Sequence, residues 1–212
     1  MDEGLVKRVA ERYGSVGARM YARGKLGSDP VAMQLLELGR ERALGHVVDV
    51  GAGRGQMGIM LLEAGLATKV TGFDWDEGKV ADANAAAKGL EATFTRGDVR
   101  EHPIPACDTL LLLDVLHYLT DVQQEALVRR AAAAAGRTLV VRELDPDRGW
   151  RSFTTRVQEA VTTSFGYNVG ERVRVRPIAD VVRPLEEAGF TVRVVPSWGS
   201  TPFANVAVIA TR

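Results

Sequence analysis

The chain has a single cysteine, Cys107, in 212 residues. One thiol cannot close an internal disulfide and supplies no cysteine metal cluster, so Cys107 reads as a small buried filler beside a strand. Net charge is absent as well. Twenty-seven basic residues balance 27 acidic ones, and no global field draws the molecule to nucleic acid or to an anionic surface. Aromatics make up only 6% of the chain, too few for the stacking platform that single-stranded RNA needs. No apolar run reaches the length of a membrane span. The opening MDEGLVKRVAERYG is charged throughout and lacks the apolar stretch of a signal peptide. These absences lead us to expect a cytoplasmic protein with no nucleic-acid partner and no membrane span, its oligomeric state left open.

The hydrophobic fraction, 46%, and the charged fraction, 25%, are ordinary for a globular chain, and the length suits one large domain or a domain with an appended cap. Residues 2–43 read as helical. Leu5, Val9 and Tyr13 share a face, and Asp29-Pro30 opens a further helix with aspartate as N-cap and proline at its first position. After Gly45 strands and helices alternate. HVVDV (46–50) is a buried strand, and Met57, Met60, Leu61 and Ala64 follow helical spacing up to Gly65. KVTGF (69–73) is a strand, 76–88 a helix, and ATFTR (92–96) a strand. DTLLLLD (108–114) is apolar enough for the centre of a parallel sheet. Thr120 with Gln123 forms a capping box for a helix reaching about Ala135, and RTLVVRE (137–143) is the next strand.

This alternation predicts an α/β, doubly wound, Rossmann-like sheet with right-handed crossovers behind an N-terminal helical cap. The ending differs. FTVRVV (190–195) and ANVAVIAT (204–211) are separated by eight residues, too few for a crossover helix, so the last strand must run antiparallel to its neighbour.

The stretch VVDVGAGRGQMG (47–58) places glycine at 51, 53, 55 and 58, directly after the first strand. Ligands of doubly wound sheets bind where strands end and their order reverses. Gly51, Gly53 and Gly55 allow a sharp turn and a close backbone approach, and the following helix points amide hydrogens at the same spot. The literal G-x-G-x-x-G pattern is weak alone. Asp74, ending the second strand, could accept hydrogen bonds from a ribose, a device common to nicotinamide and adenosyl cofactors. Asp49, two residues before the first glycine, and the antiparallel final strand separate the two.

DVGAGRG (49–55), GFD (72–74), GDV (97–99) and LLLLDVLHYL (110–119), in this order and spacing, resemble class I S-adenosylmethionine-dependent methyltransferases over residues 45–212. The resemblance implies a seven-stranded, mostly parallel sheet whose last strand inserts antiparallel, and S-adenosylmethionine as cofactor. It assigns Gly51, Gly53 and Gly55 to the turn that meets the methionine part, with Asp49 reaching the amino group. It assigns Asp74 to the ribose, Trp75 to the adenine face, Asp98 to the adenine amino group with Val99 nearby, and Asp114 to the neighbourhood of the sulfur. Two rivals remain open at this point: an NAD-dependent oxidoreductase on the same turn, and a non-catalytic binder of the cofactor.

Methyl transfer from a sulfonium is an in-line displacement that needs alignment, and a base only where the acceptor carries a proton to lose. His117 is the best-placed base, with Tyr118 to orient the acceptor and Glu143 or Asp145 as comparable candidates. Asp114, His117 and Glu143 could also gather round a divalent ion, but no dedicated ligand spacing is present, and we expect no metal. The acceptor is expected to be a small or medium-sized organic molecule, partly apolar or acidic. Residues 1–44 and an insertion around 145–177 are expected to form a lid lined by Tyr13, Tyr21, Trp150 and Phe153. Within it Trp150, Phe153, Val157, Val161 and Phe165 share a helical face, and Arg172, Arg174 and Arg176 alternate as in an edge strand.

Overall fold

The structure, a computed structural model, describes residues 2–146, 174–199 and 204–212. Three helices come first: α1 (Glu3–Glu11), α2 (Val16–Ser28) and α3 (Pro30–Glu41). Each has a side-chain N-cap, from Asp2, Ser15 and Asp29. Such caps contribute about 1 kcal/mol apiece, and Asp29-Pro30 performs the start that its sequence announces.

The sheet follows. Its strands are β1 (His46–Val50), β2 (Lys69–Asp74), β3 (Ala92–Arg96), β4 (Cys107–Leu113), β5 (Ala135–Leu144), β6 (Thr191–Pro196) and β7 (Asn205–Thr211), in the spatial order β3-β2-β1-β4-β5-β7-β6. The first five pair in parallel, and β7 lies antiparallel to both β5 and β6. The eight-residue limit on the last connection is met in this way. Between the strands run α4 (Gln56–Glu63), α5 (Glu77–Ala86), α6 (Asp121–Ala134) and α7 (Ala179–Glu187).

The period of two along each central strand divides the core. Val47 and Leu111 face one cluster, shared with the buried sides of α1 to α5, while Val48, Leu110 and Leu112 face a second, built with α6 and α7. Leu110, Leu111 and Leu112 are fully buried, each removal from water contributing roughly 2 kcal/mol. The N-terminal helices therefore share a core with the sheet. Strand order reverses between β1 and β4, and their carboxyl ends bound a crevice.

Two details depart from the sequence reading. Strand β4 stops at Leu113, and Asp114 leaves it with φ 59°, in the left-handed region. Arg174 and Arg176 lie outside any strand. The Arg174 amide donates to the His117 carbonyl and its own carbonyl accepts from the Gln124 side chain, so these partners take the place of a ladder. Trp150, Phe153, Val157, Val161, Phe165 and Arg172 lie outside the described residues.

Candidate functional site

The glycine turn is held from within the sheet. The amides of Gly51 and Ala52 donate to the Phe73 carbonyl at 2.9 and 3.0 Å, and the Gly53 amide donates to Asp74 Oδ2 at 2.8 Å. Gly51, Gly53 and Gly55 all have positive φ, but for different reasons. A Cβ on Gly51 would lie 2.5 Å from Val115 Cγ2, and one on Gly55 would lie 2.6 Å from the Phe94 ring. Those two glycines are demanded by the protein's own packing. A Cβ on Gly53 would meet nothing within 4 Å. Only this glycine turns its bare side to open space.

Two carboxylates sit beneath the turn. Asp74 is buried, with Oδ2 on the Gly53 amide and Oδ1 on the Asp76 amide at 3.0 Å. Asp49, from β1, is buried too, and no described residue donates a hydrogen bond to it. Burial, followed by the negative charge of Asp74, pushes the Asp49 carboxyl up to about 7. A buried carboxylate without a donor calls for one from a ligand, ideally a cationic one.

Beyond the end of β2 a cleft of about 380 Å³ is lined by Trp75, Arg96, Gly97 and Asp98. Trp75 presents its indole 68% exposed. Asp98 is gripped by Arg100, whose amide and guanidinium both reach Oδ1 at 2.9 Å while the guanidinium also pairs with Oδ2. The Asp98 carboxyl is held below its usual range chiefly by this bond. Val99 is partly buried, and its carbonyl accepts from Arg130 on α6 at 3.0 Å. Arg130 also serves the carbonyls of Arg100 and His102, fixing the loop that carries Asp98.

At the end of β4, Asp114, His117 and Glu143 fall into two groups. Asp114 Oδ2 pairs with Lys25 Nζ at 3.1 Å and with the Arg142 guanidinium. Asp29 Oδ2 accepts from the same two cations, at 2.8 Å from Lys25 and 3.1 Å from Arg142. Burial works to raise the Asp114 carboxyl, and Arg142 and Lys25 overcome it, so its pKa is lowered. His117 instead turns to Glu143: Nδ1 lies 2.6 Å from Oε1, with Glu143 buried and His117 partly buried. Glu143 also accepts from the His117 amide at 3.2 Å and from the Leu144 amide at 3.0 Å. A carboxylate that accepts at this distance places a proton on Nδ1. Tyr118, half exposed, packs its ring 4.2 Å from the imidazole centroid. Asp145 is buried, and its amide donates to the Ala204 carbonyl.

The aromatics of the N-terminal helices have other tasks than lining an open pocket. Tyr13 is 1% exposed, and its hydroxyl donates to the Arg54 carbonyl at 2.8 Å, clasping the glycine turn from outside. Tyr21 lies under the Arg54 guanidinium, 5.1 Å from ring centroid to carbon, and Arg54 pairs with Asp82 at 2.9 Å. Lys25, Asp29 and Arg142 were missed as site residues by sequence reasoning. One signal was available: Arg142 is a charged residue inside an apolar strand, and a buried guanidinium requires partners.

Comparison with known proteins agrees with this geometry. Residues 47–136 match the family model described as a methyltransferase domain. The chain is 32% identical over 152 residues to the tetracenomycin polyketide synthesis 8-O-methyl transferase of Streptomyces glaucescens, covering 68% of this chain and 43% of that protein. It is 26% identical over 175 residues to the demethylmenaquinone methyltransferase of Thermus thermophilus, covering 74% of this chain and 80% of that one. Residues 47–136 carry a methyltransferase domain, and the chain is similar to these methyltransferases in sequence and to the S-adenosylmethionine-dependent ones in fold. It spans less than half the length of the first of these relatives. The fold of magnesium protoporphyrin IX methyltransferase from Synechocystis, solved with S-adenosylhomocysteine, superposes with a TM-score of 0.68 at 23% identity, over 97% of this chain and 93% of that one. A methyltransferase domain favours the adenosyl cofactor over the nicotinamide one that shares the glycine turn. The residues present fit the adenosyl one: Gly53 is open, Asp49 lacks a donor, and a cleft beside Trp75 follows the carboxylate of Asp74. Among the described residues, no helix is long and apolar enough to cross a membrane.

Proposed function

We propose that this methyltransferase moves the methyl group of S-adenosylmethionine to a hydroxyl oxygen of a small organic acceptor. The observation that carries the oxygen is the His117–Glu143 pair, a part-buried 2.6 Å contact at the mouth of the crevice. A hydroxyl must shed its proton as its oxygen attacks, and an imidazole oriented by a carboxylate at Nδ1 is the group here suited to take it. Tyr118 beside the ring orients the acceptor. The name of the first relative, an O-methyl transferase, supports the same reading.

The cofactor, when bound, supplies an electrophilic methyl group. The open backbone at Gly53 receives its amino-acid end, and Asp49 takes a hydrogen bond from its ammonium. Asp74, already fixed by two amides, uses its remaining lone pairs on the ribose hydroxyls. Trp75 covers the adenine face, with Asp98 and Val99 at its edge. Lids over the acceptor from residues 1–44 and 145–177, and the small-molecule character of the acceptor, belong to the same proposal. Alignment of two reactants contributes about 7–11 kcal/mol to such a displacement, and a general base adds roughly a hundredfold to ten-thousandfold.

The test is a panel of phenols, alcohols, amines and activated carbon acids incubated with the purified protein and methyl-labelled cofactor. Label is expected on oxygen. Transfer to nitrogen or carbon alone would overturn the assignment.

A further inference from the structure

Four charged side chains meet where β4 ends, and their sum is zero: Lys25 and Arg142 against Asp29 and Asp114. They interlock through single oxygens. Oδ2 of Asp29 and Oδ2 of Asp114 each accept from both cations. Asp29 spends its other oxygen on the α3 amide of Val31 at 3.1 Å. Asp114 does not. No described residue donates to its Oδ1, and its side chain is 31% exposed while that of Arg142 is 7% exposed. The charge of Asp114 thus reaches the crevice, and those of Arg142 and Asp29 are buried behind it. Its backbone is held in the left-handed region by its own amide on the Arg142 carbonyl at 3.0 Å. The next residue, Val115, is the one that abuts Gly51 of the glycine turn.

This position matters because the two forms of the cofactor differ by one positive charge. The methyl donor is a sulfonium, and the demethylated product is a neutral thioether. An uncompensated carboxylate beside the sulfur would bind the donor more tightly than the product and would stabilise the reactant relative to the transition state, in which that charge is leaving. We propose that Lys25, reaching from α2, balances Asp114 so that the crevice stays electrically neutral toward the sulfonium. Lys25 is then a positioning and charge-balancing residue rather than one that touches the reacting atoms. The N-terminal helices belong to the chemistry through it, not only to the covering of the site. This inference rests on the cofactor reading given above.

Calorimetric titration at pH 8 with S-adenosylmethionine and with S-adenosylhomocysteine tests it, because the ratio of the two affinities reports the field at sulfur without any acceptor. Lys25→Met leaves the cluster with a net negative charge, and the preference for the sulfonium is expected to rise about tenfold. Lys25→Arg keeps the native ratio. Asp114→Asn leaves a net positive charge and moves the ratio the opposite way, which holds even if Lys25→Met fails to fold. A loss of packing alone would weaken both compounds together and leave the ratio still. Ratios unmoved in Lys25→Met and Asp114→Asn overturn the proposal while the cofactor site stands. Failure of the native protein to bind either compound overturns both.

Discussion

The Asp74 carboxylate accepts the amide hydrogen of Gly53 at 2.8 Å, tying the end of the second strand to the one glycine among 51, 53 and 55 whose missing side chain faces open space. The residue that is to grip the ribose is thus also the residue that shapes the turn for the methionine tail. On the cofactor pose proposed above, a change at Asp74 would therefore disturb both halves of the ligand.

Replacement of Asp74 by asparagine follows directly. The amide keeps the shape and loses the charge-assisted bonds, which are worth about 1.5–3 kcal/mol each. Titration calorimetry should show S-adenosylhomocysteine weakened by at least about tenfold, a factor that corresponds to roughly 1.4 kcal/mol. Unchanged affinity would remove Asp74 from the cofactor site.

Gly51 and Gly53 should respond differently to alanine. At Gly51 the new methyl meets Val115 at 2.5 Å in a left-handed backbone, so a loss of stability of about 2–4 kcal/mol is expected in urea denaturation. At Gly53 only the backbone term of about 1–2 kcal/mol applies. There the larger loss should fall on cofactor affinity, because the methyl occupies the ligand's space. Equal stability losses with unaltered binding at both would contradict the division of labour.

For the base, His117→Asn should cut turnover about a hundredfold to ten-thousandfold while S-adenosylhomocysteine binds as before. Glu143→Gln should slow the same step, since a neutral amide no longer fixes the proton on Nδ1. Full turnover in His117→Asn, measured with labelled cofactor, would leave alignment as the sole source of rate.

Asp49 sets a pH dependence of stability. Its carboxyl titrates at an ordinary 3.8 in the unfolded chain and at about 7 in the fold, raised by burial and then by Asp74. A raised pKa means that the folded state holds the proton more tightly. The stability is fully present below about 3.8 and is lost as pH rises through about 7, amounting to about 4 kcal/mol at the plateau. Asp49→Asn has no such loss. Its advantage over the native protein in denaturation midpoint should grow between pH 4 and 7 and level off above. A difference independent of pH would place an unburied or paired carboxylate at position 49.

Much of this was legible from residues. Local chemistry announced the helix starts at Asp29-Pro30 and Thr120–Gln123, and the eight-residue link between β6 and β7 forced an antiparallel pairing before any coordinates. Elements whose cause lies nearby in sequence can be read. The glycine turn was visible too, but not the reason for each glycine: Val115 and Phe94, which require Gly51 and Gly55, are far along the chain. The Lys25–Asp29–Asp114–Arg142 cluster was hidden for the same reason. Lys25 looks like a solvated helix residue until the fold brings it within 3.1 Å of Asp114. Tyr13, read as a pocket wall, proved to be a buried clasp because its partner is a carbonyl, which no sequence pattern marks.

Strand β7 sits between β5 and β6, so the sheet is completed by residues 205–211, the last of its strands to leave the ribosome. Until then β6 has no strand partner, and the carboxyl end of β5, where Arg142 and Glu143 stand, has a neighbour on one side only. Pairing of β5 with β6 through β7 is therefore the closing step of the sheet, and the crevice is complete only once that strand is in place.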